Sequence, residues 1–245
     1  MRLERDKGFY EKYVKRVLDI ICSLFFLVFF CWLYMIIAVI VRIKMGSPVL
    51  FKQPRPGIVK NGKETIFDMY KFRTMTDERD AVGNLLPDED RLPMFGVLLR
   101  STSLDELPEV FCLLRGTMSV VGPRPQLVRD MVFMSDQQRM RHTAKPGLTG
   151  LAQVKGRNAI TWEKKLDWDL KYIENVSFWN DLKILFSTIG VVFKRDGITD
   201  GENATALDYG DAMLKNGNVS KDRYDTLQAE ASGLIRKYEM EKNRR

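Results

Sequence analysis

The sequence predicts an α+β fold, mainly helical, with an N-terminal re-entrant membrane helix, a small β-hairpin and a helical region with interfacial amphipathic helices. Three observations carry this. Ile20 to Val41 are 22 consecutive residues without a charge, Pro or Gly. Two extended arms, at residues 49–51 and 64–72, flank a stretch rich in Pro and Gly. Beyond them, apolar side chains recur mostly at helical spacing. With 45% hydrophobic and 29% charged residues, the chain can bury a core and is neither a disordered polyampholyte nor a fibrous repeat. Its three cysteines and single histidine cannot build a disulfide framework or a four-ligand zinc site, which points to a reducing compartment.

At ~1.5 Å per residue the apolar run reaches about 33 Å, against ~30 Å of hydrocarbon in a bilayer. A soluble core helix keeps a wet face, and this segment has none. No A-x-A cleavage site follows it, so it is expected to remain in the mature protein. Both flanks are basic: Arg2, Arg5, Lys7, Lys12, Lys15 and Arg16 precede it among four acids, and Arg42, Lys44, Lys52, Arg55 and Lys60 follow it with none. A spanning helix would violate the Lys/Arg bias at one end, whereas a segment that enters and leaves by the same face satisfies it at both. A re-entrant hairpin, however, needs a central break, and Cys31-Trp32 offers no Pro or Gly for one, so the residues alone leave re-entrant and spanning paths both open. Either way, residues 42 onward are expected to be cytoplasmic.

After the helix, Val49-Leu50-Phe51 reads as a short strand ending in the turn Gln53-Pro54-Arg55-Pro56-Gly57, with Glu64 to Phe72 as the second arm of a hairpin. Asp77 to Pro93 is polar and acidic and reads as a helix fragment and a mobile loop. Helix is expected to resume from Leu92 to Leu99 and again after Ser103. Gly122-Pro123-Arg124-Pro125 is a rigid turn presenting one arginine, and Lys145 to Asn158 reads as a long Gly-rich loop.

Chemistry is suggested at Arg100 to Pro108, where Asp105 and Glu106 sit at a helix start. Ser103 and Glu106 have the spacing of a capping box, in which both side chains merely satisfy backbone donors; Pro108 makes Asp105 an alternative cap. Both registers place the two carboxylates at a helix N-terminus, which favours the ionised form of Asp105. No phosphate-binding Gly-rich motif occurs, so any phosphate site would rest on separated arginines (Arg100, Arg124, Arg157) and a divalent ion.

Six ordered blocks resemble the bacterial sugar transferases, the small monotopic phosphoglycosyl transferases that start glycoconjugate assembly on polyprenol phosphate. They are Lys15-Arg16-x-x-Asp19, Gln53-x-Arg55-Pro56-Gly57, Tyr70-Lys71-Phe72-Arg73-Thr74-Met75, Arg100-Ser101-x-Ser103-Leu104-Asp105-Glu106-Leu107, Met118 to Pro125 and Pro146-Gly147-Leu148-Thr149-Gly150. The resemblance implies transfer of a phosphosugar from a UDP-sugar to undecaprenyl phosphate, with release of UMP. It implies that Asp105 is the nucleophile, forming a covalent phosphosugar intermediate, and that Glu106 is a metal-associated or proton-handling carboxylate. The ion would be Mg²⁺, with Asp105 and Glu106 as its ligands. Lys71, Arg73, Arg100 and Arg124 would neutralise phosphate charge, and Gln153, Arg157 and Asn158 would contact nucleotide or sugar. The family usually breaks its membrane helix with Ser-Pro, for which this chain has Cys31-Trp32. The resemblance places the protein at the bacterial inner membrane with its catalytic region on the cytoplasmic face.

The implied organisation is a membrane anchor over residues 1–45, a catalytic domain over 46–200 and an extension over 201–245. Leu182, Leu185, Phe186, Ile189 and Phe193 form a stripe that either meets membrane lipid, with Lys183, Lys194 and Arg195 snorkelling, or packs on the protein's own core. Trp162, Trp168 and Trp179 lean toward the interface. In the extension, Tyr224, Leu227, Ala231, Leu234 and Tyr238 are spaced as two heptads, which would dock on the catalytic region, pair two subunits as a homodimer or fray in solvent. His142 reads as a packing or hydrogen-bonding residue. A non-catalytic membrane scaffold is the alternative function. Nucleic acid is not an expected partner, since the net charge of +7 is spread over flanks and loops without a reading motif.

Overall fold

The computed structural model describes residues 3–156, 160–194 and 207–244. Arg157, Asn158 and Arg195 lie outside them, as do the side chains of Phe193 and Lys194. The chain forms two compact units, each drawn from separate stretches. The first comprises residues 18–53 and 68–116; the second comprises 1–17, 54–67 and 117–245.

Most of helix α1 (Lys15–Met45) belongs to the first unit. With a preceding π-helical turn it makes a 36-residue helix, Tyr10–Met45, long and apolar enough to cross a membrane by length and composition. It runs without interruption through Cys31-Trp32. In its C-terminal half one stripe packs on the protein: Ile37, Val41 and Met45 are buried against Phe72 and Leu99, with Leu33, Tyr34 and Ala38 beside them. Phe25, Val28, Phe29, Trp32, Met35 and Val39 remain exposed, an apolar surface suited to hydrocarbon rather than to water.

Strands β1 (Leu50–Lys60) and β2 (Lys63–Phe72) form the antiparallel hairpin, which is longer than the sequence reading has it. The strand does not end at Pro54 to Gly57. It continues through both prolines, and the turn is Asn61-Gly62, whose φ angles of 52° and 74° are those of a two-residue turn twisted to match its strands. Proline is tolerated because both strands of a two-stranded sheet are edges with no interior ladder to break.

Short helices α2 (Asp88–Arg91) and α3 (Met94–Ser101) follow. The segment expected to be a mobile loop before them holds a bridge between Arg79 and Leu85 and an Asp80 carboxylate that accepts from the backbone N–H of Val82 and Asn84. A 3-10 turn, Leu104–Glu109, leads directly into α4 (Val110–Arg115), which Gly116 ends in the left-handed conformation.

In the second unit, β3 (Ser119–Val121) pairs in parallel with β4 (Gly147–Thr149), Ser119 opposite Gly147 and Val121 opposite Thr149. Between them lie α5 (Val128–Met131), α6 (Asp136–Arg139) and a 3-10 turn over Met140–Thr143. The stretch read as a long Gly-rich loop is thus β4 followed by α7 (Leu151–Gly156). Helices α8 (Trp162–Glu174) and α9 (Phe178–Lys194) cover the pair, burying Val121, Ala144, Tyr172, Ile173 and Ile184 together. The stripe of α9 is split: Leu185 packs against this core, while Phe186 and Ile189 are exposed, as is Trp179. Asp181 of α9 accepts hydrogen bonds from Tyr10 at 2.8 Å and Tyr172 at 2.9 Å and pairs with the Lys15 ammonium, which ties down the start of α1.

The extension docks within the second unit through α10 (Tyr209–Lys215) and α11 (Lys221–Asn243). Leu227 packs with Phe133, Met134, Leu166 and Tyr209, and Ala231 packs with Val128 and Met131. Trp162 stacks near Tyr209 with ring centroids 5.3 Å apart and donates its indole N–H to the Leu207 carbonyl, so this tryptophan serves protein packing.

Candidate active site

The 3-10 turn of the first unit carries Asp105 and Glu106 in its first turn. The expected capping box is absent. Ser103 takes a left-handed conformation (φ 56°) and makes no side-chain cap, and the Glu106 side chain is engaged by Lys71, whose Nζ lies 2.7 Å from Glu106 Oε1. The same ammonium lies 3.6 Å from Glu109 Oε1 and 4.0 Å from Asp105 Oδ2. One cation therefore serves three carboxylates, and Glu109, almost fully buried at 1% exposure, is a member of the group that the sequence reading missed. The 3-10 path through Pro108 brings Glu109 round to the lysine, and Lys71 reaches them from the end of β2.

The apolar helix supports this turn directly. Tyr34 donates its hydroxyl to the Leu107 carbonyl, and its ring packs against Phe72 at 5.9 Å and Phe111 at 6.0 Å. The backbone between the dyad and Pro108 is thereby tied to α1.

The other predicted residues have defined places. Arg73 is buried and braces its own loop: Nε donates to the Met75 carbonyl at 2.9 Å, Nη1 to the Ser47 carbonyl at 3.0 Å, and Nη2 pairs with Asp77. Arg100, exposed on α3, donates Nε to Thr74 Oγ1 at 3.0 Å. The structure thus brings Lys71, Asp105 and Glu106 together, with Arg73 and Arg100 in the same unit. Arg124 and Gln153 belong to the second unit. Gln153 donates to the Leu148 carbonyl at 3.2 Å, and Arg124 is half-buried in the turn after β3.

Behind that turn lies a buried polar cluster that was not singled out from sequence. Arg141 donates Nε and Nη2 to Asp169 Oδ2 at 2.9 and 2.6 Å, and Nη2 also to the Arg124 carbonyl at 2.6 Å. Next to it, His142 Nδ1 is 3.4 Å from Glu64 Oε1, and Arg139 grips Glu64 with two hydrogen bonds of 2.6 and 2.7 Å. His142 has the packing and hydrogen-bonding place expected of it.

Burial holds the His142 imidazole down, at about 4, in spite of the adjacent carboxylate. Burial acting alone would raise Glu64, but hydrogen bonds from His142 and Arg139 outweigh it and bring that carboxyl to about 2. Below pH 6.5 the unfolded chain takes up a proton on histidine that the folded chain refuses until about pH 4, so stability falls with pH across that window. Glu64 adds a loss as pH drops from 4.5 toward about 2, because the unfolded carboxylate protonates first. The melting temperature is therefore expected to decline between pH 6.5 and 4, and His142→Gln should flatten that limb; thermal unfolding across a pH series checks it, and an unchanged slope in the variant would refute the assignment.

Metal binding at the dyad is chemically reasonable. Carboxylate oxygens are the donors Mg²⁺ takes, and it commonly uses one or two of them with phosphate oxygens completing its shell. Among the described residues, no group of three or more His, Cys, Asp or Glu side chains is placed to hold a metal ion.

Comparison with known proteins adds three relatives and one family. The sequence model described as bacterial sugar transferase matches residues 10–195. The uncharacterized sugar transferase EpsL of Bacillus subtilis is 48% identical over 193 residues, covering 79% of this chain and 94% of that protein. A UDP-glucose:undecaprenyl-phosphate glucose-1-phosphate transferase of Klebsiella pneumoniae is 41% identical over 189 residues, 71% of this chain and 39% of that one. An enzyme of the same name from Caulobacter vibrioides is 35% identical over 192 residues, 74% of this chain and 70% of that one.

Proposed function

The chain belongs to the bacterial sugar transferase family, and from that membership we propose that it is a polyprenyl-phosphate phosphoglycosyl transferase, moving a phosphosugar from a UDP-sugar to undecaprenyl phosphate and releasing UMP. The relatives' names supply the reaction. The observation that carries it to this chain is the Lys71 ammonium set among Asp105, Glu106 and Glu109, in the unit that also holds the long apolar helix.

Asp105 is the nucleophile. A carboxylate is already ionised at neutral pH and needs no base, and a covalent intermediate divides a transfer between a soluble donor and a lipid acceptor into two steps. One Asp105 oxygen bonds to the phosphorus that bears the sugar, the bond from that phosphorus to the bridging oxygen breaks, and UMP leaves with the bridging oxygen and its electron pair. A phosphate oxygen of undecaprenyl phosphate then attacks the same phosphorus and frees Asp105. Lys71 and Arg100 offset the negative charge of the diphosphate. Asp105 and Glu106 would hold a Mg²⁺ ion, which would supply further positive charge against the phosphate oxygens. The apolar helix anchors the enzyme in the inner membrane, with residues 42 onward on the cytoplasmic side.

The test is UMP release from a panel of UDP-sugars with Mg²⁺ and undecaprenyl phosphate. At least one donor is expected to give many turnovers. Chelation of the metal, or a polyprenol without its phosphate, should each abolish them; turnover that persists in both controls overturns the proposal.

A further inference from the structure

One side chain of α1 reaches both parts of the group formed by Lys71 and the three carboxylates. The Tyr34 ring packs against Phe72 with centroids 5.9 Å apart, and Phe72 follows Lys71 at the end of β2. The Tyr34 hydroxyl donates to the carbonyl of Leu107, the residue after Glu106. The ring also meets Phe111 edge-on at 6.0 Å, in the helix into which the turn runs. All of these residues belong to the first unit.

Neither the turn nor the packing requires that hydroxyl. The Leu107 carbonyl already accepts from the Val110 N–H, so it would not be orphaned without the tyrosine. A phenylalanine would offer Phe72 and Phe111 the same ring, and would spare the apolar helix a polar group that is costly there unless it is paired. What the hydroxyl adds is a fixed spacing. It ties the backbone next to Glu106 to a ring that rests on the neighbour of Lys71. The lysine stem is long and flexible, so the distances from its ammonium to Glu106, Glu109 and Asp105, 2.7, 3.6 and 4.0 Å, depend on how the two backbones are held relative to each other.

We propose that Tyr34 is a positioning residue for phosphosugar transfer: its hydroxyl, delivered from the apolar helix, sets the register between Lys71 and the turn that carries Asp105, so that Asp105 is held ready to attack a phosphorus whose charge Lys71 offsets. This rests on the reading of the protein as a UDP-sugar transferase. It makes α1 part of the catalytic architecture as well as the anchor. A misplacement of about 1 Å can cost about a hundredfold in rate, and a contact that governs the geometry of attack without touching the donor acts on kcat rather than on KM.

The experiment is a double-mutant cycle on the full-length enzyme, read by UMP release. Tyr34→Phe keeps the ring and removes the hydroxyl. In the wild-type background it is expected to lower kcat about tenfold while KM for the UDP-sugar stays within about twofold, with melting close to that of the wild type. In a Lys71→Met background it should change kcat by less than about twofold, because the ammonium whose register it sets is gone. Phe72→Leu loosens the ring contact beside Lys71 and leaves the hydroxyl in place. It should act in the same direction and also lose its effect in the Lys71→Met background, and it carries the test if Tyr34→Phe does not fold. Equal losses in both backgrounds would mean a general structural role and overturn the proposal, as would a loss confined to KM. Wild-type kcat in Tyr34→Phe also overturns it, yet the transferase reading then stands as long as the wild-type protein turns over UDP-sugar. Absence of turnover in the wild type with every donor would instead fail that reading, and this inference with it.

Discussion

Asp105→Asn is expected to lower UMP release by at least about a thousandfold and to abolish the covalent phosphosugar adduct on the protein. The substitution keeps the shape of the side chain and removes the charge that attacks phosphorus. Its structural consequences should be small, because Lys71 keeps its 2.7 Å contact with Glu106 and its 3.6 Å neighbour Glu109, and the turn keeps its Tyr34 bond to the Leu107 carbonyl. Loss of activity therefore reports the nucleophile and not the fold, which near-normal melting would verify. The adduct is sought by intact-mass measurement after incubation with donor alone, where the first half-reaction can proceed and the second cannot. Wild-type protein should gain the mass of one phosphosugar, located at Asp105 by fragmentation. Glu106→Gln provides the contrast: it weakens metal or proton handling but leaves the attacking oxygen, so its adduct should form slowly rather than vanish. An adduct on the Asp105→Asn protein, or release above a few per cent of wild type, would refute the assignment of the nucleophile.

The carboxylate dyad and the apolar helix were legible because each is a local pattern: adjacent residues in one case, an unbroken run of uncharged positions in the other. The heptad spacing in the extension was equally legible, but its partner was not, since Leu227 and Ala231 meet residues 128–134, about a hundred positions earlier. Glu109 was overlooked for the same reason. In sequence it is one more acid in a helix start, and only a lysine 38 residues away makes it part of a charged group. The β3–β4 pair has strands of three residues, too short for any period to register, and depends on close backbone contact: a Cβ on Gly147 would lie 2.1 Å from the Gly122 nitrogen. The hairpin turn, by contrast, was available to be read. Asn61-Gly62 between extended arms is a strong local signal, and the two prolines upstream drew the turn away from it. The left-handed Ser103 (φ 56°) has no such signature, which is why a capping box looked reasonable where the chain builds a different turn.

Lys71→Met should cost about a hundredfold or more in kcat/KM for the donor, and should move the acid limb of the pH–rate profile to higher pH. The two effects have one cause. With the ammonium gone, Asp105, Glu106 and Glu109 have lost the cation they shared at 4.0, 2.7 and 3.6 Å, and like charges crowded together favour protonation of at least one of them. A nucleophile that is partly protonated is a weaker nucleophile at a given pH, so activity is recovered only as the pH rises. The diphosphate, for its part, arrives at a site with one less positive charge to offset its own. Lys71→Arg separates these contributions. Its guanidinium restores the charge but spreads it over a plane where the ammonium is a point, so the acid limb should return close to the wild-type position while part of the rate loss remains. Glu109→Gln in the Lys71→Met background is the sharper control: removing one of the three clustered negative charges should bring the limb back toward lower pH although no cation has been added. If Lys71→Met shows the rate loss with an unmoved profile, the lysine acts on the donor alone and the three carboxylates are not electrostatically coupled through it.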